Sequence, residues 1–254
     1  MKPENVADCA RFVLACLLTM ALPVALEQLL GAERVALLRE MALMACDLTP
    51  VVPAARAGDD VVVLVHGFFA SAGVFRPLRS RLERETGARV ATFTHAPGVG
   101  IRRIARQLQQ LVERVPEDTR ITVVGHSLGG VVARFYVQEM RGYERVARTI
   151  SMASPFRGVN VPQLLVGADL HEQSDLLRRL RETAREFDVP HTSIVAANDT
   201  VVAGVETASL GIGDVVVLPR RGHNALLFDE EAAGVVIDRV RQGRGQRPDK
   251  TTQL

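Results

Sequence analysis

Ile121-Thr122-Val123-Val124-Gly125-His126-Ser127-Leu128-Gly129-Gly130 is the stretch on which the fold turns. An apolar, β-branched run feeds a Gly-x-Ser-x-Gly turn, and a helical pattern opens from Val131; strand, turn and helix in that order describe a nucleophile elbow. The chemistry accounts for the glycines. A serine lifted on a tight strand-to-helix turn leaves no room for side chains two positions before it and two after it. The same turn exposes the hydroxyl and aims the positive end of the helix at it. The bare pattern also arises by chance, so its surroundings carry the reading.

Those surroundings alternate. Strand candidates are Val61 to Val65, Ala88 to Phe93, Ile121 to Val124, Val146 to Met152, Thr192 to Ala196 and Val215 to Leu218. Helical stretches lie near Gly73 to Thr86, Ile101 to Val115, Leu128 to Met140, Ser174 to Glu186 and Asp229 to Arg241. Strands that are apolar on both faces and alternate with helices predict right-handed crossovers and a mostly parallel sheet of about six strands, an α/β fold. In such sheets sites form beyond the carboxyl ends of the strands. In order, those ends carry His66-Gly67-Phe68-Phe69, Ser127, Ser154-Pro155, Asn198-Asp199 and Gly222-His223. A serine hydroxyl needs an imidazole to take its proton, and the imidazole needs a carboxylate to fix its tautomer. Ser127, His223 and Asp199 supply the three roles.

Composition narrows the function. The 254 residues suit one large core with a short extension. Net charge is +2, from 31 basic and 29 acidic residues spread along the chain, which predicts no nucleic-acid surface. Trp is absent and Tyr occurs twice, so stacking platforms for bases and sugars are scarce, whereas nine Phe can wall an apolar pocket. Cys9, Cys16 and Cys46 are odd in number and lack metal-ligand spacing, so neither a disulfide framework nor a metal site is expected.

Residues 1–57 read as an apolar helical extension. Phe12 to Leu26 is uncharged and about fifteen residues long, short of the ~20 a spanning helix needs; Val35 to Leu48 is amphipathic and carries Arg39 and Glu40. A hairpin packed on the body, an anchor at a membrane surface and a cleaved signal all remain open, so localisation stays undecided between membrane-associated and cytoplasmic, with secretion the weaker reading. The catalytic domain is expected over 58–242, with a short cap near 159–190 and a partly open site, and 243–254 is a polar, basic tail.

From Asp60 to about Val240 the chain resembles the α/β-hydrolase superfamily, and within it the bacterial lipases and esterases. The carriers are His66-Gly67-Phe68, Gly125-His126-Ser127-Leu128-Gly129-Gly130, Ser151-Met152-Ala153-Ser154-Pro155-Phe156-Arg157-Gly158, Ala197-Asn198-Asp199-Thr200-Val201-Val202 and Gly222-His223-Asn224-Ala225-Leu226-Leu227. The resemblance implies Ser127 as nucleophile, Asp199 as orienting acid, His223 as general base, and the backbone N–H groups of Phe68 and Leu128 as the oxyanion hole. The family more usually has Thr-Pro-His before that last Gly, where this chain has Ser154-Pro155-Phe156-Arg157.

Of the other acids, Asp169 and Asp175 fall in an insertion, Asp188 and Asp214 sit at the wrong ends of strands, and Asp229 is placed to cap the final helix. His66 reads as a pin for its loop; Phe69, His126 and Phe156 read as substrate-binding residues, and His95 as a further candidate. Arg102, Arg103 and Arg106 read as a solvated helix face. The expected activity is cofactor-free hydrolysis of a small-molecule or lipid ester through an acyl-enzyme. The rivals are acyl transfer or thioester cleavage by the same triad, and a non-catalytic, membrane-tethered interaction module.

Overall fold

Apolar β-branched runs buried on both faces become the centre of the molecule, and each helix between them returns the chain to start the next strand in the same direction. The computed structural model describes residues 31–159 and 168–243. In chain order it has α1 (Ala32–Leu43), β1 (Asp60–Val65), α2 (Arg76–Thr86), β2 (Arg89–Phe93), α3 (Ile101–Glu113), β3 (Arg120–His126), α4 (Leu128–Glu139), β4 (Val146–Met152), α5 (Asp175–Glu182), β5 (His191–Ala196), α6 (Val205–Ala208), β6 (Asp214–Leu218) and α7 (Glu230–Gly243). The six strands form one sheet in the order β2-β1-β3-β4-β5-β6, every pair parallel. The expected α/β fold is therefore present.

The period-2 geometry of a strand divides the core in two. Val61, Val63 and Val65 of β1 face a cluster built with α3, α4 and α5, among them Ile104, Leu108, Val132 and Leu177. Val62 and Leu64 face the opposite cluster with α2 and α7, among them Leu82, Val236 and Ile237. Burying one such side chain is worth about 1.5–3 kcal/mol, so a charge anywhere in β1 would be costly. The exposed Arg102, Arg103 and Arg106 line the outer face of α3, as expected, with Arg102 over the ring of Phe135.

The described part of the segment read as a cap, 168–190, behaves as a crossover. Leu177 and Leu180 of α5 are buried in the core, and Gln138 of α4 donates to Leu180 O and Thr183 Oγ1, both at 2.9 Å. The second apolar N-terminal stretch is helical, over Ala32–Leu43 where Val35 to Leu48 was expected, and it packs on the body. Val35, Ala36, Glu40 and Leu43 are buried; Ser71 Oγ donates to Leu43 O and Cys46 O, and Arg76 pairs with Asp47 at 2.9 Å. Its other face, Leu37, Leu38, Met41 and Met44, is exposed. The stretch 12–26 lies outside the described residues, and among the described residues no helix is long and apolar enough to cross a membrane.

Candidate active site

The turn after β3 is built by close approach. A Cβ on Gly125 would lie 2.2 Å from Gly129 C and Gly130 N, and one on Gly129 would lie 2.0 Å from Val65 O. Only bare backbone lets α4 start hard against β1 and β3. Ser127 between them adopts φ 51°, ψ −121°, a region non-glycine residues avoid. Its N–H is tied to Met152 O at 2.8 Å, which holds the strained turn to β4. Phe69 (φ 57°) and Ala153 (φ 48°), on the neighbouring loops after β1 and β4, are also left-handed. Strain thus gathers at the carboxyl edge where the sheet presents its side chains.

His223, on the loop after β6, and Asp199, on the loop after β5, are both buried. His223 Nδ1 donates to Asp199 Oδ2 at 2.8 Å. The other oxygen, Asp199 Oδ1, accepts the N–H groups of Val201 and Val202, each at 2.8 Å, so the carboxylate is held from both sides and leaves His223 Nε2 as the free lone pair. Among the described residues Ser127 Oγ has no hydrogen-bond partner; contacts of this kind often close only around substrate.

The loop after β1 is pinned by two stacked imidazoles. His66 Nδ1 donates to Gly67 O at 2.8 Å while its Nε2 accepts the N–H of His95 at 3.1 Å, and the two rings stack 3.9 Å apart. His66 is therefore neutral, with burial pushing it down to about 3. A Cβ on Gly67 would lie 3.1 Å from Ser127 Cβ, so the chain passes immediately beside the serine and delivers the next N–H, that of Phe68, to the same edge. The N–H of Leu128 belongs to the first turn of α4, which has no acceptor within its helix. Phe68 and Leu128 line one small pocket with Val99, Ile101, Asp169 and Leu170.

Three sequence expectations need correction. Phe156 has no exposed surface; it packs edge-on to His191 at 5.6 Å, in the core cluster that holds Leu177 and Leu180 of α5, where burying the ring outweighs presenting it to a pocket. His126 lies behind His223, ring centres 4.9 Å apart, and donates from Nε2 to His223 O at 3.1 Å; burial drives it down to about 3, and it faces protein instead of substrate. His95 is spent on His66. Phe69 is exposed beside Phe68, edge to face at 4.4 Å. The remaining acids have other duties: Asp169 caps α3 through Ile101 N–H, Asp175 pairs with Arg178 and Asp214 with Arg239, and Asp229 accepts Ala232 N–H at the head of α7.

The sequence model of the alpha/beta hydrolase family matches residues 62–200, more than half of the chain. The chain belongs to the alpha/beta hydrolase family. That match includes Ser127 and Asp199 and stops short of His223. Among solved structures, the mature lipase BlEst2 of Bacillus licheniformis is similar at a TM-score of 0.57 and 13% identity, over 76% of this chain and 96% of that one. A lipase-esterase related protein of Clostridium acetobutylicum gives 0.57 at 14% identity, over 78% and 99%. The thioesterase domain from the curacin biosynthetic pathway gives 0.55 at 12% identity, over 74% and 92%. At these identities the likeness is one of fold.

Two residues near the site escaped sequence reading. Glu33 Oε1 and Oε2 accept the N–H groups of Asn224 and Ala225 at 2.8 and 3.0 Å, directly after His223. Glu40 is buried on the same helix. The signal was available: Glu33, Ala36, Glu40 and Leu43 follow i, i+3, i+7, i+10 spacing, which sets two acids on an apolar stripe. Among the described residues no group of three His, Cys, Asp or Glu is arranged to hold a metal ion.

Proposed function

We propose that this hydrolase cleaves carboxylic esters through an acyl-enzyme on Ser127, with His223 as general base and Asp199 as its orienting acid. The observation that carries the reading is the 2.8 Å bond from His223 Nδ1 to a carboxylate itself fixed by two backbone N–H groups, at the same sheet edge as a serine held at φ 51°. Ser127 Oγ attacks the ester carbonyl as His223 Nε2 takes its proton, and the N–H groups of Phe68 and Leu128 receive the developing oxyanion, each worth a few kcal/mol. The tetrahedral intermediate collapses, the C–O bond to the alcohol breaks, and His223 returns the proton to the departing oxygen. Water then repeats the sequence on the acyl-enzyme and releases the acid. Phe68, Val99, Ile101 and Leu170 give the small pocket beside these N–H groups apolar walls, alongside Asp169, which suit the first carbons of an acyl chain.

The test is the initial rate on p-nitrophenyl butyrate for the wild type and Ser127→Ala, both checked for folding by circular dichroism. The wild type should turn over, and the variant should lose several orders of magnitude; equal rates would remove Ser127 from the mechanism. The same triad serves thioesters, and a neighbour of similar fold is a thioesterase domain. An acyl-thioester series and added alcohol, run beside the ester, separate hydrolysis of either bond from acyl transfer.

A further inference from the structure

We propose that the cleft between α5 and α6 is a binding site for a phosphate ester with a short apolar body, its phosphate received by Arg157, Arg181 and Arg185. The site stands apart from the triad and shares no residue with the small pocket beside Phe68 and Leu128.

Arg157 ends the Ser154-Pro155-Phe156-Arg157 stretch, and the triad makes no use of it. Its backbone N–H donates to Thr207 O at 3.3 Å and its Nε to Glu206 O at 3.0 Å, which ties the loop after β4 to α6. Arg181 of α5 donates from Nη1 to Phe156 O at 2.6 Å. Two guanidinium heads are thus fixed by backbone carbonyls, which accept a hydrogen bond and carry no charge to cancel. Among the described residues neither forms an ion pair, nor does Arg185 on the turn after α5, and the Nη groups of Arg157 and the Nε and Nη2 of Arg181 have no acceptor. Burial and the Arg157 charge both push the Arg181 guanidinium below its usual value, so the two heads repel each other as they stand.

The three arginines line one cleft of about 660 Å³, inside the range of about 300–1,000 Å³ usual for small-molecule sites. Glu182 and Glu206 line it too, but Glu182 is already held by Arg178 at 3.6 Å, so positive charge prevails. A carboxylate satisfies one guanidinium fork; a phosphate monoester carries about two charges on three terminal oxygens and can serve several. Val205, Leu210 and Ile212 form the apolar side of the cleft, against which a short carbon body on that phosphate would lie.

Isothermal titration calorimetry of the full chain with hexyl phosphate, inorganic phosphate and hexanoate reads the site without calling on catalysis. Hexyl phosphate should bind at one site per chain, more tightly than the other two, since each of them lacks one of the two features. Arg181→Gln and Arg185→Gln should each weaken it by about tenfold or more, while Arg103→Gln, which removes the same charge from the outer face of α3, should leave it within about twofold. No binding up to about 10 mM, or equal losses in all three variants, would overturn the proposal. Should Arg181→Gln not fold for want of its bond to Phe156 O, Arg185→Gln decides alone, because the Arg185 side chain makes no hydrogen bond among the described residues. Sedimentation with vesicles of phosphatidic acid in phosphatidylcholine that is lost in Arg185→Gln names a lipid headgroup as the source of the phosphate, and no sedimentation names a free phosphate ester; both results sustain the site.

Discussion

Replacing Gly129 by alanine should damage stability and catalysis together. The new Cβ would lie 2.0 Å from Val65 O and 2.9 Å from His66 O, both backbone atoms of β1 and its exit loop. Ordinary contact begins at 3.4 Å, so the head of α4 must retreat from β1 by about 1.4 Å. Overpacking of this kind costs about 1–3 kcal/mol. The shift also moves Leu128 N–H and Ser127 away from the loop that carries Phe68, and a displacement of about 1 Å at reacting groups can cost around 100-fold in rate. Gly234→Ala is the control: it lies inside α7, has open space around its Cβ position, and should stabilise by about 0.5–1 kcal/mol. Urea melts of both variants, with p-nitrophenyl butyrate rates, read the two effects. Near-wild-type stability and rate in Gly129→Ala would refute the close-approach reasoning.

Further outcomes follow from the same geometry. Asp199→Asn should keep the fold, because the amide oxygen can still accept Val201 and Val202 N–H, yet it turns an N–H toward His223 Nδ1 and should lower kcat by about 10⁴; a loss below tenfold would contradict the orienting role. His66 and His126 are held neutral down to about 3, and His191 well below its usual value, mainly by burial. Their stabilisation is full above pH 6.5 and is lost as pH falls from there toward 3. Glu40 has the opposite sign, since its raised value makes stability fall as pH rises from 4.5 to about 7. Unfolding at pH 5 should therefore take up more protons than it releases, since His95 is lowered by burial as well, and stability should rise with pH between 4 and 6. Urea midpoints that are flat between pH 4 and 6 would refute that balance.

The strands were legible because β1, β3 and β5 are buried on both faces, so their runs are rich in apolar and β-branched residues even where β5 opens on His191, Thr192 and Ser193; bounds came within a few residues, the largest gap being His126, which closes β3. The residues at strand ends were legible for the same topological reason. Phe156 was not, since an aromatic next to a site loop reads alike whether it faces a pocket or the core. The direction of His126 depends on a turn whose φ no sequence prints. Asp229, by contrast, caps α7 through the local rule that predicted it. Glu33 and Glu40 were hidden by distance along the chain: the contact from Glu33 to Asn224 spans 191 residues, and local periodicity can place an acid on a buried face without naming the loop it will meet.

The most direct measurement is labelling of the folded chain with a fluorophosphonate, followed by mass spectrometry of the peptide containing residues 125–130. A single adduct on Ser127, abolished in Ser127→Ala and suppressed at a pH where His223 is protonated, is the expected result. A folded protein that takes up no label, or takes it elsewhere, would contradict the assignment of Ser127 as nucleophile.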